Sequence, residues 1–473
     1  MWCGQGFSGC GPPARGGGVR KSVSVVIPAH DASRFLDACL ADLEASTVEP
    51  LECIVVDDGS TDDTAEVARR HGATVVSADA RRGPANARNL GARHARGDVL
   101  FFLDADVCVH PGTLHAVAAA FEADPALDAL IGAYDDAPDS ADFLSQYKNL
   151  MHSFVHQNGR REAKTFWSGC GAIRRDVFLA HSGFDESYDR PAIEDIELGY
   201  RLAAAGRKIV LDPALIVKHL KKWTFWGLVK SDIFDRGIPW TELILRDRVM
   251  PDDLNIQLSQ RISVALVFVL LGLSTFAAVR WGGAFLVPLF ALLFLQLSRY
   301  WLESASPRDS QAGAISVGLT MAGIATLAAM NGMWALALPL VLAYVALFLR
   351  HRYAYRPHEP GRARTSLFFA GFFVLVLLLT MAHFPKDPVV FACFAVVAAI
   401  IALNNQFYLF LAAKRGRPFA LAAIPFHLLY HFYNGVSFAA GSARYALRRM
   451  TAPAATPGAR VPALDPDLPA TDE

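Results

Sequence analysis

Two carboxylates separated by one small residue close the segment Phe101-Phe102-Leu103-Asp104-Ala105-Asp106. Hard divalent cations such as Mg2+ or Mn2+ bind carboxylate oxygen, commonly from one or two protein acids, and leave their other positions to substrate phosphates. A cation held there would offset the charge of a departing diphosphate. The same spacing also suits two strand-end acids that cap the next helix or face solvent, so both readings stand. A second acidic turn, Asp57-Asp58-Gly59-Ser60-Thr61, ends another apolar run. Gly59 permits a tight backbone there, and the helix start behind it offers free N–H groups. Asp58 suits either a hydrogen bond to a base or ribose, or a helix cap.

Three further constellations carry reactive groups. The stretch 82–89 (RGPANARN) opens a helix with Pro84 in its first turn. Arg82 or Arg88 could reach a phosphate or pair with the acids around Asp104. Glu194, Asp195 and Glu197 crowd the first turn of a helical pattern, where the helix dipole favours acids. One of them could equally be a general base taking the proton of an attacking hydroxyl. Trp167-Ser168-Gly169-Cys170-Gly171 is a Gly-flanked loop able to approach a ligand closely, and His219 follows the strand-like Leu215-Ile216-Val217.

These groups need a frame. Residues 23–28, 53–57, 75–76 and 99–103 read as strands, the last apolar at every position, as befits a strand covered on both faces. Helical spacing runs from Ser33 to Ala45 and over 84–96, and Ser60 or Thr61 is the expected N-cap of a helix between them. Alternating strands and helices predict an open, mostly parallel, Rossmann-like α/β sheet, whose functional groups gather at the carboxyl ends of the strands. Pro28-Ala29-His30-Asp31, the Asp58 turn and Asp104-Ala105-Asp106 all lie at such ends.

The second half of the chain is different. Apolar runs at 262–279, 283–298, 313–330, 333–349, 366–384 and 388–412 are each near bilayer-spanning length, predicting an all-α domain of about six transmembrane helices. With the N-terminal domain in the cytosol, the arginines at 350, 352, 356, 362 and 364 and the Lys414, Arg415, Arg417 group fall inside. A multi-pass protein of a bacterial-type inner membrane is therefore expected. Residues 419–440 mix His, Tyr and Asn with aromatics and suit an interfacial or re-entrant helix. The expected organisation is a disordered leader at 1–21, an α/β domain at 22–250, a membrane domain at 258–440 and a disordered tail at 451–473. Forty-five basic residues balance 45 acidic ones, which argues against a nucleic-acid partner. Seven cysteines without a CxxC pair read as reduced thiols. No GxGxxG follows the first strand, which disfavours a dinucleotide-dependent oxidoreductase.

Seven motifs in order, VSVVIPAHD, IVVDDGSTDDT, RRGPANARNLG, VLFFLDADV, FWSGCGAIRRDVF, GFDES and AIEDIELGYRLAAAG, closely resemble the inverting family 2 glycosyltransferases over roughly residues 22–240. The resemblance implies a GT-A fold and a UDP- or GDP-sugar donor. By matched position, Pro28, His30, Asp31 and Asp58 would line the nucleoside pocket, and Asp104 would touch ribose or metal. Asp106 would ligate Mg2+ or Mn2+, with His219 as a further ligand. Asp195, paired with Glu194, would be the catalytic base, and Arg82, Arg88, Trp167 and Gly169 would line the substrate site. Processive members carry Gln-x-x-Arg-Trp after the base, whereas here Arg236 and Trp240 are separated. Single-sugar transfer to a lipid or lipid-linked acceptor at the cytosolic face is therefore the expectation. The alternatives are a processive synthase-translocase and a catalytically idle membrane scaffold that keeps the fold.

Overall fold

The computed structural model describes residues 21–250 apart from residue 79, residues 256–281, scattered positions between 318 and 342, and residues 387–451. Eight strands form one sheet in the order β3-β2-β1-β4-β7-β6-β8-β5. They are β1 (Val23–Ala29), β2 (Glu52–Asp57), β3 (Thr74–Ser77), β4 (Val99–Leu103), β5 (Val107–Val109), β6 (Ala129–Tyr134), β7 (Cys170–Arg174) and β8 (Ile209–His219). Val25, Ile27, Val55, Phe101 and Leu103 face one core layer, while Val26, Ile54, Val56, Leu100 and Phe102 face the other. Period-two alternation with both faces apolar is why these strands read as unbroken hydrophobic runs.

The helices over this sheet are α1 (Ser33–Glu44), α2 (Thr64–Arg70), α3 (Pro84–His94), α4 (Thr113–Ala123), α5 (Phe143–Gln157), α6 (Arg175–Ala180) and α7 (Glu194–Ala204). The parallel expectation holds for β3-β2-β1-β4 and for β6 beside β8. It fails at β7, antiparallel to both β4 and β6, and at β5, antiparallel to β8. The sheet is mixed. The Ser60 or Thr61 cap is also corrected, because α2 begins at Thr64 behind Asp63. Ser60 and Thr61 are drawn instead to the neighbouring strand end, where the Ser60 hydroxyl accepts from Asp31 N and Thr61 N donates to Asp31 Oδ1 at 2.8 Å.

After β8 come α8 (Phe225–Lys230), a π-helix (Ser231–Gly237) and α9 (Ile238–Asp247). Next is α10 (Leu258–Trp281), 24 residues with a mean hydropathy of 2.5 and mostly exposed side chains. Helices α11 (Pro388–Leu403) and α12 (Asn405–Arg415) meet at a 68° bend, and together they are apolar enough for one further span. The bend is held by polar contacts, for Asn404 Nδ2 donates to Ser263 Oγ at 2.8 Å and Gln260 Nε2 donates to Asn404 Oδ1 at 3.0 Å. Among the described residues, then, one helix is long and apolar enough to cross a bilayer, or two with the bent pair. The runs at 283–298 and 366–384, most of 313–330 and 333–349, and the 350–364 arginines lie outside the described residues, as do 1–20 and 452–473.

Residues 419–440 belong to one helix, α13 (Arg417–Thr451). It does not stand apart from the α/β unit. Phe419, Phe426 and Tyr430 pack with Phe143, Tyr147 and Leu150 of α5 in a shared aromatic core. Two buried polar ties cross the same seam: Lys148 Nζ donates to both Asp232 oxygens at 2.8 Å, and Tyr433 Oη donates to Asp232 Oδ2 at 2.6 Å.

Within the α/β unit, α7 presses against the strand of chain before Trp167. A Cβ on Gly199 would collide with the backbone of Thr165 and Phe166. Gly199→Ala is expected to lower stability by about 1–3 kcal/mol, since overpacking forces backbone to shift. The readout is the thermal unfolding midpoint of detergent-solubilised protein; an unchanged midpoint would show that the 165–166 segment yields without cost.

Candidate active site

The carboxyl ends of β1, β2 and β4 lie side by side because Ala29 registers with Asp57 and β1 also pairs with β4. Turns from all three strands therefore converge. Pro28 is the next-to-last residue of β1, and His30 Nδ1 is 2.9 Å from the Asp58 carbonyl oxygen. Asp31 adopts a left-handed φ of 47°, and its carboxylate takes the Thr61 N–H. Asp58 is buried, with Oδ1 accepting from Arg82 N at 2.7 Å and Oδ2 from Gly83 N at 2.8 Å. Its first task is thus to anchor the loop that opens α3, leaving lone pairs for a ligand. The Arg82 side chain itself is exposed. Gly83 is required at φ 93°, where a Cβ would strike the Asp189 carbonyl oxygen.

Arg88 sits one turn into α3 and is 4% exposed. Nη2 donates to Asp104 Oδ1 at 2.6 Å and Nη1 to Glu194 Oε1 at 2.8 Å. Burial opposes its charge, but the Asp104 and Glu194 carboxylates outweigh that and push the guanidinium pKa upward. Of the two options open to Arg88, pairing with acids is therefore the one realised.

Glu194 and Asp195 share the start of α7 but differ in surroundings. Glu194 is buried and accepts from Arg88 and from Ala192 N at 3.0 Å. Asp195 is half-buried and accepts from Ser168 N at 3.1 Å and Ser168 Oγ at 3.2 Å. Burial and then the Glu194 charge raise its pKa to about 6, against the Ser168 N–H and the charges of Arg88 and Arg236. A carboxylate poised there can accept a proton near neutral pH. Trp167 and Gly169 shape this loop, with Gly169 lying under the Trp167 indole so closely that a Cβ would meet it at 2.9 Å.

On the far side of Asp104, antiparallel pairing sets Val107 opposite His219 and so brings Asp106 to the histidine. His219 Nε2 is 3.5 Å from Asp106 Oδ2. Burial opposes ionisation of Asp106, yet His219 and then Lys221 hold its carboxyl below the usual range. His219 is buried and its Nδ1 has no partner. One carboxylate and one imidazole, with a second carboxylate at Asp104, form an oxygen and nitrogen donor set suited to a divalent cation with phosphate filling the remainder. Among the described residues no group of three or more His, Cys, Asp or Glu is gathered as a metal site by protein alone. Arg88 already occupies one oxygen of Asp104.

Arg236 projects from the π-helix, with Nη1 3.3 Å from His152 Nε2. Trp240 turns the other way, its Nε1 donating to Tyr200 Oη at 3.0 Å. The structure thus parts the two residues, leaving the Arg236 charge acting on Asp195 and Trp240 as a brace between α9 and α7. Tyr134 was not singled out by sequence, yet its ring stacks on His219 with centroids 4.4 Å apart and packs edge-on against Trp167 at 4.7 Å. Its position at the carboxyl end of the apolar run 129–134 was the available signal. Lys148, His152 and Asp232 were likewise passed over, and Ser168 was named only as part of its Gly-flanked loop.

Residues 24–181 match the model of the family described as Glycosyl transferase family 2. Validoxylamine A glucosyltransferase of Streptomyces hygroscopicus subsp. jinggangensis is 30% identical over 219 residues, 39% of this chain and 52% of that protein. The 4,4'-diaponeurosporenoate glycosyltransferase of Staphylococcus haemolyticus is 39% identical over 99 residues, 20% of this chain and 26% of that protein. Poly-beta-1,6-N-acetyl-D-glucosamine synthase of Staphylococcus aureus is 25% identical over 241 residues, 48% of this chain and 56% of that protein. The chain spans about half, or less, of the length of these relatives. Among solved structures, S. aureus TarS 1-349 in complex with UDP-GlcNAc overlays with a TM-score of 0.38 at 13% identity, covering 85% of this chain and 90% of that one. Residues 24–181 are thus similar to the family 2 glycosyltransferases, and the similarity is to proteins named as glycosyltransferases.

Arg88→Met would leave the buried Glu194, and the partly exposed Asp104, beside no guanidinium. A loss of about 3–5 kcal/mol in unfolding free energy is expected from stranding buried charge. Adding Glu194→Gln should recover part of that loss in denaturant titration; a double variant no more stable than the single one would show that packing, not charge, is what Arg88 supplies.

Proposed function

We propose that this glycosyltransferase moves a single sugar from a UDP- or GDP-sugar to a lipid or lipid-linked acceptor at the cytosolic membrane face, with inversion and with a divalent cation. The observation that carries the reading is Asp195. A half-buried carboxylate with a pKa raised to about 6 is held by Ser168, while the Arg236 charge acts on it and Asp106 with His219 lies across the cleft.

In this mechanism the turns at His30, Asp31 and Asp58 receive the nucleoside, and the start of α3 fixes the sugar side of the cleft through Arg88. Asp195 accepts the proton of the acceptor hydroxyl as its oxygen bonds to the anomeric carbon, and the nucleotide diphosphate departs from the opposite face. Asp106 and His219 would hold Mg2+ or Mn2+, which supplies charge neutralisation of the diphosphate. Ser168 keeps Asp195 oriented, and the charge of Glu194, tied to Arg88, raises the basicity of its neighbour.

A lipid acceptor is supported by position. The chain runs from α9, at the edge of the site, to the membrane-length α10 with only residues 248–257 between them. The separated Arg236 and Trp240 favour one transfer over polymer growth. The names of the relatives span acceptors as different as validoxylamine A, 4,4'-diaponeurosporenoate and a polysaccharide, so the acceptor class rests on this chain's own features.

The deciding experiment incubates detergent-solubilised protein with labelled nucleotide-sugars and a membrane lipid extract, then reads the lipid phase by mass spectrometry. Label in a lipid, dependent on Mg2+ or Mn2+, is expected; label recovered only in water-soluble products would overturn the lipid acceptor. Asp195→Asn should cut turnover by about 10²–10⁴-fold, the usual reach of a positioned base, while donor binding survives. Asp106→Asn should abolish transfer, and near-normal activity would sink the metal assignment.

The pH profile offers a separate check. Because the Asp195 pKa is raised, its basic form is populated above about 6, so the rate should fall as pH drops through that value. Arg88 and Arg236 each lower this pKa. Removing the Arg236 charge, as in Arg236→Gln, should therefore move the acid limb to higher pH. A limb that stays in place would mean that another group titrates.

A further inference from the structure

Behind Arg236 a cavity of about 380 Å³ opens where the π-helix, α9, α10 and α13 meet. That volume is within the range of small-molecule sites. Its two ends differ in chemistry. At the inner end lie Arg236 and His152, together with Lys148 and Asp232, whose charges cancel in a 2.8 Å ion pair. Burial and then the Lys148 and Arg236 charges depress the His152 pKa, which leaves a neutral ring to accept from Arg236. The walls toward the outer end are Ile244, Val264, Ala265 and Phe438.

Polar side chains also line it, among them Thr241, Gln260, Asn434 and Arg261, whose Nη1 lies 3.2 Å from Met250 Sδ. Thr241 Oγ1 donates to Gly237 O at 2.8 Å and Gln260 Nε2 to Asn404 Oδ1 at 3.0 Å. A soluble sugar would find few partners along the apolar walls, because buried hydroxyls need hydrogen bonds that Ile244, Val264, Ala265 and Phe438 cannot make. The outer rim is open: Met250 is 42% and Phe438 45% exposed, and Ala265 is exposed too. That rim lies along α10, whose composition suits a bilayer. A site with polar groups at one end, apolar walls and a mouth beside a membrane-length helix matches an amphiphile with a single polar head.

We propose that this cavity holds the hydrocarbon chain of the acceptor, an acyl or isoprenoid chain entering from the bilayer between α10 and α13, with its hydroxyl head directed past Arg236 to Asp195. The inference rests on the lipid-acceptor reading above and adds where the lipid is held. Arg236 and His152 then act at the boundary between head and chain. The Lys148–Asp232–Tyr433 cluster fixes the π-helix and α13 as two walls of one site.

The test compares full-length variants in detergent with the same bacterial membrane lipid extract and labelled nucleotide-sugar. Ala265→Trp fills the mouth and is expected to lower glycolipid yield at least tenfold. Val279→Trp, on the same helix at an 81% exposed position away from the cavity, is expected to stay within twofold of wild type. Phe438→Ala widens the mouth and should shift the glycosylated lipids toward longer or bulkier chains by mass spectrometry. Thermal unfolding separates a blocked cavity from a misfolded variant, and Phe438→Ala carries the test if Ala265→Trp does not fold. Wild-type glycolipid yield from Ala265→Trp, or an unchanged chain distribution from Phe438→Ala, would overturn the cavity assignment while the lipid acceptor stands. If wild-type protein glycosylates no lipid at all, the parent reading fails and the cavity assignment falls with it.

Discussion

Arg88 is almost fully removed from water, and a guanidinium that loses its hydration must find carboxylates in return. It finds two from distant parts of the chain: Asp104 at the end of β4 and Glu194 at the start of α7. The bridge settles how far α7 stands from the sheet edge, and hence where Asp195 points. It also divides the acids by role. Asp104 is held by α3, Asp106 is left to His219, Glu194 is paired with Arg88, and Asp195 has a raised pKa. Few rearrangements of the cleft are compatible with keeping all four arrangements at once.

A second buried pair does for the outer half of the molecule what Arg88 does for the inner half. Lys148 of α5 meets Asp232 of the π-helix, and Tyr433 of α13 closes the set. An ion pair in such surroundings gives little net stability but tolerates only one geometry. The π-helix itself fits this view. Its extra residue per turn lets adjacent positions face different partners, with Asp232 toward Lys148 and Arg236 toward His152. π-Bulges recur at functional sites for that reason. The α/β unit and α13 are therefore coupled through the π-helix that also carries Arg236.

Much of the inner frame was legible in the sequence. The β1, β2 and β4 runs are apolar on both faces, so periodicity and composition agree, and the acids follow where each run stops. The antiparallel β7 was less visible because Cys170-Gly171-Ala172 looks like loop, its small residues packing under Phe166 and Trp167. Ser60 and Thr61 resemble a helix cap in isolation; only the neighbouring Asp31 turn, from another strand, shows why they are used elsewhere. The His, Tyr and Asn content of 419–440 suggested a lipid interface. In the structure many of those polar aromatics face protein, with Tyr433 on Asp232 and the His427 ring against Tyr408. Composition records that a helix face is polar, not whether water, headgroup or protein meets it.

The same limit bears on which acid is the base. Glu194 and Asp195 are adjacent, both acidic and both at a helix start, and nothing in their order separates them. Their neighbours do. Glu194 has an arginine and an N–H to satisfy it, and its charge lies beside Asp195. That charge, together with burial, is what lifts Asp195 to about 6. Two carboxylates with environments that push them apart divide acid–base work between them. In the proposed reaction Asp195 is the base, and Glu194 is held in place by Arg88, which spans from it to Asp104.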